Sequence, residues 1–193
     1  MTRVLLIRHG ETEWSKSKRH TGTTDLPLLP EGEAAARRLA PRLAGERPSL
    51  VLSSPLARAR LTAELAGLHP VVNADLREWD YGEYEGITTV QIRADRPDWD
   101  LWRDGCPGGE TAAQVGARVD EVLALVAAHA RDETSILIAH GHVLRVLGAR
   151  WIGLDPSAGG RLALDTAAVC ELGLERERRV LRRWNDRAHL RDP

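Results

Sequence analysis

TSILIAHGHVLR, residues 134–145, decides the architecture. Thr134 to Ala139 is a short apolar run of the kind that forms a buried strand. His140-Gly141-His142 ends it, and VLRVLGARWIG (143–153) continues as a helix. The same plan appears at residues 3–8, RVLLIR, a strand that ends in Arg8-His9-Gly10-Glu11. LVLS at 50–53 is a third strand, ending in Ser53-Ser54, with Arg58 one turn into the next helix. Strands alternating with helices predict an α/β fold, a three-layer α/β/α sandwich around a mostly parallel sheet. Ligands of such sheets bind beyond the carboxyl ends of the strands. The three polar clusters therefore emerge on one rim, with His9, His140, Arg8 and Arg58 among them.

Working outward, residues 10–28 are rich in Thr, Ser, Gly and Asp without periodicity and read as a long loop. A helix starts near Pro30 and must bend or end near Pro41. Ser54-Pro55 opens a helix through ARARLTAELAG that Gly67 stops. Residues 70–74 read as a strand, and residues 76–110 as an irregular insertion with one short helix near 88–95. Thr111 caps a helix to about residue 130, with Val115, Val119, Val122, Leu123 and Val126 at helical spacing. Residues 167–175 and 178–184 are two further strands, the second at the sheet edge. No repeat or linker divides the chain, so residues 1–193 read as a single domain.

The 193 residues carry 27 bases and 28 acids, a net charge of -1, which speaks against a nucleic-acid partner. A hydrophobic share of 42% with 28% charged residues is that of an ordinary globular protein. Lys16 and Lys18 are the only lysines, so nearly all positive charge is arginine. Cys106 and Cys170 are too few for a disulfide framework. The apolar run Val4–Ile7 is too short for a signal peptide or a membrane span. A cytoplasmic protein without a membrane partner is expected, as a monomer or homodimer.

A neutral imidazole held in one tautomer is a nucleophile, and beside arginines its natural target is a phosphoryl group. Phosphoryl transfer needs mainly positioning and electrostatic stabilisation, which this set supplies without a metal or other cofactor. The leaving oxygen needs a proton, and Glu78, Asp80, Glu83 and Glu85 are the carboxylates on offer. Glu83 and Glu85 also read as a solvated loop face. Zinc at His140-x-His142 would have two ligands beside opposing arginines. No G-x-x-x-x-G-K-[ST] loop is present. Cys170 and Arg176 have the Cys-x5-Arg spacing of tyrosine phosphatases, but the acidic ELGLE between them reads as strand. His142 reads equally as a rim residue and as a substrate contact. His20, His69, His129 and His189 have no visible partners and are expected at the surface.

RHGETEW at 8–14 resembles the signature of the histidine phosphatase, or phosphoglycerate mutase-like, superfamily. The resemblance continues at TGTTDLPLLPEG (21–32), SSPLARARLTAE (53–64), LREWDYGEYEG (76–86), GGET (108–111) and AHGHVLR (139–145). It implies that His9 is the phosphorylated nucleophile, that Arg8, Arg58 and His140 form the phosphate pocket, and that Glu78 is the proton donor. Ser15 stands where many relatives have Asn. Thr21 and Gly22 match the loop that closes over substrate. Tyr81 reads equally as a substrate contact and as a packing residue, and Gly141 is a further candidate substrate-binding position. Within the superfamily the chain is similar to actinobacterial acid phosphatases, at WDYG-x-YEG and HGH. It is also similar to fungal sedoheptulose-1,7-bisphosphatases, at RHGETEWSKS, LWRDGC-x-x-GET and AHGHVLR. Arg145 occupies the position that in the latter group helps hold the distal phosphate. The implied activity is metal-independent hydrolysis of small phosphorylated metabolites, sugar bisphosphates among them, through a phosphohistidine. The alternatives are a phosphoglycerate mutase, whose longer arginine-bearing insertion this chain lacks, and a non-catalytic phosphate-binding module.

Overall fold

The computed structural model describes residues 3–129 and 133–191. Six strands, β1 (Arg3–Arg8), β2 (Pro48–Ser53), β3 (Val71–Val72), β4 (Thr134–Ala139), β5 (Val169–Glu175) and β6 (Arg178–Asp186), form one sheet in the order β3-β2-β4-β1-β5-β6. The first four in that order are mutually parallel, while β5 and β6 run antiparallel. β4 lies between β1 and β2, with Arg8 opposite Ala139 and Ser53 opposite Ile138. This register brings the ends of all three strands side by side.

The helices are α1 (Glu13–Lys16), α2 (Pro30–Arg37), α3 (Leu39–Leu43), α4 (Ala57–Leu65), α5 (Thr89–Asp95), α6 (Leu101–Asp104), α7 (Ala112–His129) and α8 (Gly141–Trp151). Alternate strand residues face opposite sides. Val4, Leu6, Leu52 and Leu137 pack in the cluster that holds the apolar faces of α7 and α8. Leu5, Ile7, Ile136 and Ile138 pack in the one that holds Leu39 and Leu43 of α3 and Ala59 and Ala63 of α4. The expected three layers follow, and the central strands β1 and β4 are buried on both faces. Among the described residues no helix is long and apolar enough to cross a membrane.

The differences from expectation are local. The loop after β1 contains α1, closed by reciprocal bonds between Thr12 and Ser15; one turn leaves no periodicity to read. Pro41 lies inside α3, and the break falls before it, between Arg37 and Leu39. Proline cannot bond back to the carbonyl four residues earlier, so the two short helices replace one long one. The strand expected at 70–74 shrinks to two exposed edge residues. The irregular stretch holds α6 as well as the expected α5, capped by the Asp100 carboxylate on the Trp102 amide at 3.0 Å. Thr111 caps α7 as expected, exchanging bonds with Gln114. Residue 130, where that helix was to end, and both ends of the expected domain lie outside the described residues.

Candidate active site

β1 delivers His9 to the rim, where its amide bonds the Ala139 carbonyl at 2.9 Å. The His9 side chain is 5% exposed. Its Nδ1 lies 2.6 Å from the Gly10 carbonyl. A carbonyl only accepts, so Nδ1 carries the hydrogen and Nε2 keeps its lone pair. Burial first, then the charges of Arg58 and Arg8, push the ring's pKa well below 6.5. His9 is therefore a neutral imidazole in one tautomer at the edge of a cavity of about 290 Å³.

The cavity is cationic. Arg8, Lys18, Arg19 and Arg145 line it, against Glu78 as the one carboxylate. The Arg8 Nη1 donates to the Leu164 carbonyl at 2.5 Å, while its buried Nε has no protein partner. An unpaired buried guanidinium N–H is costly unless a ligand satisfies it, and an oxyanion is its natural complement. Arg145 donates to the carbonyls of Gly159 and Gly160 at 3.0 Å each and lies 4.6 Å above the Trp102 ring. Its planar group is thus held in place before any ligand arrives. Lys18, in the left-handed region at φ 59, and Arg19 follow α1 at the cavity wall.

Glu78 joins the site through α8. Its Oε2 accepts from the His142 amide (3.0 Å) and its Oε1 from the Val143 amide (2.9 Å). The Trp79 amide also donates to Oε1, at 2.9 Å. The free N–H groups of a helix start are a natural seat for a carboxylate. Beside it, Tyr81 and the His142 Nδ1 share a hydrogen bond of 2.6 Å. Burial, followed by the Glu78 charge, raises the Tyr81 phenol well above its usual pKa of 10. Burial, then Arg145, lowers the His142 ring well below 6.5.

Ser15, Thr21, Tyr81, Gly141 and Arg145 line the cavity with Arg8, His9 and Glu78. A Cβ on Gly141 would lie 3.3 Å from the Arg8 Cζ, so the glycine lets the guanidinium lie flat over the start of α8. Three expected pocket residues stand elsewhere. Gly22 is behind the wall: its amide is held by the Glu85 carboxylate (2.9 and 3.0 Å), and a Cβ there would fall 2.5 Å from the Trp79 carbonyl. Arg58 is fully buried behind His9 and does not line the cavity. It donates to the carbonyls of Thr21, Gly22 and Thr24 and, through Nε, to the His140 Nδ1 at 3.1 Å. His140 is also fully buried. Burial first, then Arg58, His9 and Arg8, keep it neutral, so with Nδ1 accepting, its Nε2 donates to the Ser54 Oγ at 2.7 Å. The His140 ring in turn packs edge-on against His9, with ring centroids 5.1 Å apart.

Two further expectations are corrected. Glu85 clamps the amides of Gly22 and Thr24 and is not a freely solvated acid. His20 is buried, lines the cavity and packs 4.8 Å from Tyr81. Lys18, Arg19, Thr89 and Leu164 are lining residues that sequence reasoning missed. For Lys18 one signal existed, since both lysines fall in the loop after β1. Thr89 and Leu164 arrive from distant segments with no motif to mark them.

The fold and the cavity together define a class, an α/β protein with a buried neutral histidine at the edge of a cationic cavity. The model of the histidine phosphatase superfamily (branch 1) matches residues 4–187. An acid phosphatase of Mycobacterium tuberculosis is 45% identical over 177 residues, 90% of this chain and 87% of its own. A sedoheptulose 1,7-bisphosphatase of Saccharomyces cerevisiae is 38% identical over 184 residues, 79% of this chain and 68% of its own. The solved structure of an open-reading-frame product from Mycobacterium tuberculosis superposes with a TM-score of 0.92 at 41% identity, over 95% of this chain and 97% of that one. The chain belongs to the histidine phosphatase superfamily and is a phosphoric monoester hydrolase.

Proposed function

We propose that this enzyme hydrolyses small phosphorylated metabolites bearing a second anionic group, sugar bisphosphates among them, through a phosphohistidine at His9. The observation that carries the reading is the His9 Nε2, left with a free lone pair by the Nδ1 contact to the Gly10 carbonyl, in a cationic cavity that Arg8, with its unpaired Nε, also lines. In the first step Nε2 attacks phosphorus, the ester P–O bond breaks, and Glu78 gives a proton to the leaving oxygen. In the second, water attacks the phosphohistidine, the P–N bond breaks, and Glu78 takes the water's proton. Arg8 neutralises the transferred group, while Arg58 and His140 hold His9 in line. Ser15, Thr21, Tyr81 and Gly141 shape the substrate wall, with Gly22 supporting it from behind.

Arg145 supports the second anionic group. It lines the cavity, is held by two carbonyls and lies apart from the brace behind His9. A sedoheptulose 1,7-bisphosphatase among the similar proteins supports a bisphosphate as the substrate class. The four cations that line the cavity oppose a metal ion there, and no step is assigned to one. Residues 1–193 act as one domain in this reading, with 76–110 as the substrate-side insertion. Its support is the cavity wall, to which that stretch contributes Glu78, Tyr81 and Thr89.

The test is rapid acid-free quenching with a labelled substrate in the presence of chelator, followed by peptide mapping. Acid-labile phosphate on His9 is expected, and turnover without phosphate on His9 would overturn the mechanism. A panel of sugar bisphosphates, phosphoglycerates and phosphoserine then tests the substrate class. Isomerisation of 2-phosphoglycerate that depends on a bisphosphate primer would favour a mutase.

A further inference from the structure

Glu78 sits in a stretch without regular structure to hold it. One 3-10 turn, Ala74–Leu76, precedes it, and the backbone runs irregularly to Tyr81. In place of a strand ladder, three carbonyls of this stretch converge on one side chain. The Arg118 Nη1 donates to the carbonyls of Asp75 and Arg77 at 2.7 Å each, and Nη2 to that of Glu78 at 3.1 Å. The other guanidinium donors form a bidentate pair with Glu110, Nε to Oε1 at 2.8 Å and Nη2 to Oε2 at 2.9 Å. All five N–H groups of Arg118 therefore have acceptors. Glu110 closes the clasp: its Oε2 accepts from the Asp80 amide (2.9 Å), its amide donates to the Asp80 carbonyl (2.8 Å), and its carbonyl accepts from the Trp79 Nε1 (2.9 Å).

Arg118 is 8% exposed, and neither it nor Glu110 lines the cavity. It projects from α7 between Val115 and Val122, which are fully buried beneath the sheet. The clasp thus transmits the position of a core helix to the acid segment. α8 holds the Glu78 carboxylate, while α7 holds its backbone.

We infer that Arg118, through its clasp with Glu110, is a positioning residue for proton donation by Glu78. The inference rests on the reading of Glu78 as the acid. Lysine keeps the charge but has three donors and no fork, so it cannot replace the five bonds. A displaced acid slows only the reactions that need its proton. Esters with basic alkyl leaving groups need it, whereas p-nitrophenyl phosphate needs little.

The experiment measures kcat/KM for an alkyl phosphate and for p-nitrophenyl phosphate. The proteins are wild type, Arg118→Met, Arg118→Lys, Glu78→Gln and both double variants. In the Glu78 background the Arg118 variants should lose roughly tenfold to a hundredfold on the alkyl ester and under about threefold on the aryl ester. In the Glu78→Gln background they should lose almost nothing further on either, because groups acting as a unit are non-additive. If Arg118→Met does not fold, the Arg118→Lys pair carries the same comparison. Equal losses on both esters in the folded variants, or equal losses with and without Glu78, would overturn the positioning role. A Glu78→Gln variant without leaving-group discrimination would instead sink the acid reading.

Discussion

Two histidines end adjacent parallel strands, and each is followed by glycine. His9 closes β1 and His140 closes β4, with their rings 5.1 Å apart. Both are buried and neutral for the same reason, burial reinforced by neighbouring arginines. Their partners separate them. One nitrogen of His9 bonds its neighbour's carbonyl and the other faces the cavity. Both nitrogens of His140 are taken, one by Arg58 and one by Ser54. In the proposed mechanism the unsatisfied ring reacts and the satisfied ring braces it. Hydrogen-bond inventory, rather than residue type or burial, distinguishes the two.

His9→Ala tests the reactive half of this contrast and carries the largest expected effect. Activity should fall roughly 10³- to 10⁶-fold, as for loss of a covalent nucleophile, while the melting temperature changes less than in the His140 variant. Near-normal turnover would erase the distinction. His140→Ala should show the opposite balance. It strips an acceptor from the Arg58 Nε and a donor from the Ser54 Oγ, costing about 1–3 kcal/mol of stability. A His9 that is no longer braced should then slow turnover by roughly a hundredfold. If His140→Ala were as inactive as His9→Ala but fully stable, His140 would be the catalytic partner and not the brace.

Arg145→Ala sharpens the contrast between the reacting end of the cavity and the far end. The advantage of a sugar bisphosphate over its monophosphate should fall by roughly 1.5–3 kcal/mol in kcat/KM, the scale of a charge-assisted contact. Hydrolysis of an aryl phosphate should stay within about twofold of wild type. A uniform drop on all substrates would remove Arg145 from specificity.

The smallest effect is in pH. His9 and His140 have folded pKa values well below 6.5, so the unfolded chain binds more protons in the window beneath that value. Their contribution to stability is present in full above about pH 6.5 and is lost as pH falls from there toward the folded values. Each histidine contributes a slope of up to about 1.4 kcal/mol per pH unit in that window. Denaturant unfolding between pH 5 and pH 7 should show this slope, and His140→Gln should reduce it by one proton's worth. An unchanged slope would mean that His140 titrates normally in the folded state.

Composition, strand patterning and motif order were enough to read the architecture. A run such as TSILIA leaves a buried strand few alternatives, and the polar residues that end each run mark the sheet's functional edge. The core residues of α7 were legible for the same reason, because local periodicity records burial. Hydrogen-bond partners leave no such record. RHG and HGH look alike as strings, and nothing local shows that Ser54 and Arg58 meet His140 while the Nε2 of His9 is left open. Gly22 shares with Thr21 a motif that resembles a substrate-closing loop, yet its packing against the Trp79 carbonyl sets it behind the wall. His20 had no partner within its own loop and reads as surface until Tyr81 and Trp99 fold over it. Arg118 is one arginine among many in a helix pattern, and its five acceptors come from four residues, three of them some 40 positions earlier in the chain. Patterning is a property of neighbours along the chain, whereas a side chain's role depends on which distant donors and acceptors the packed layers bring within about 3 Å.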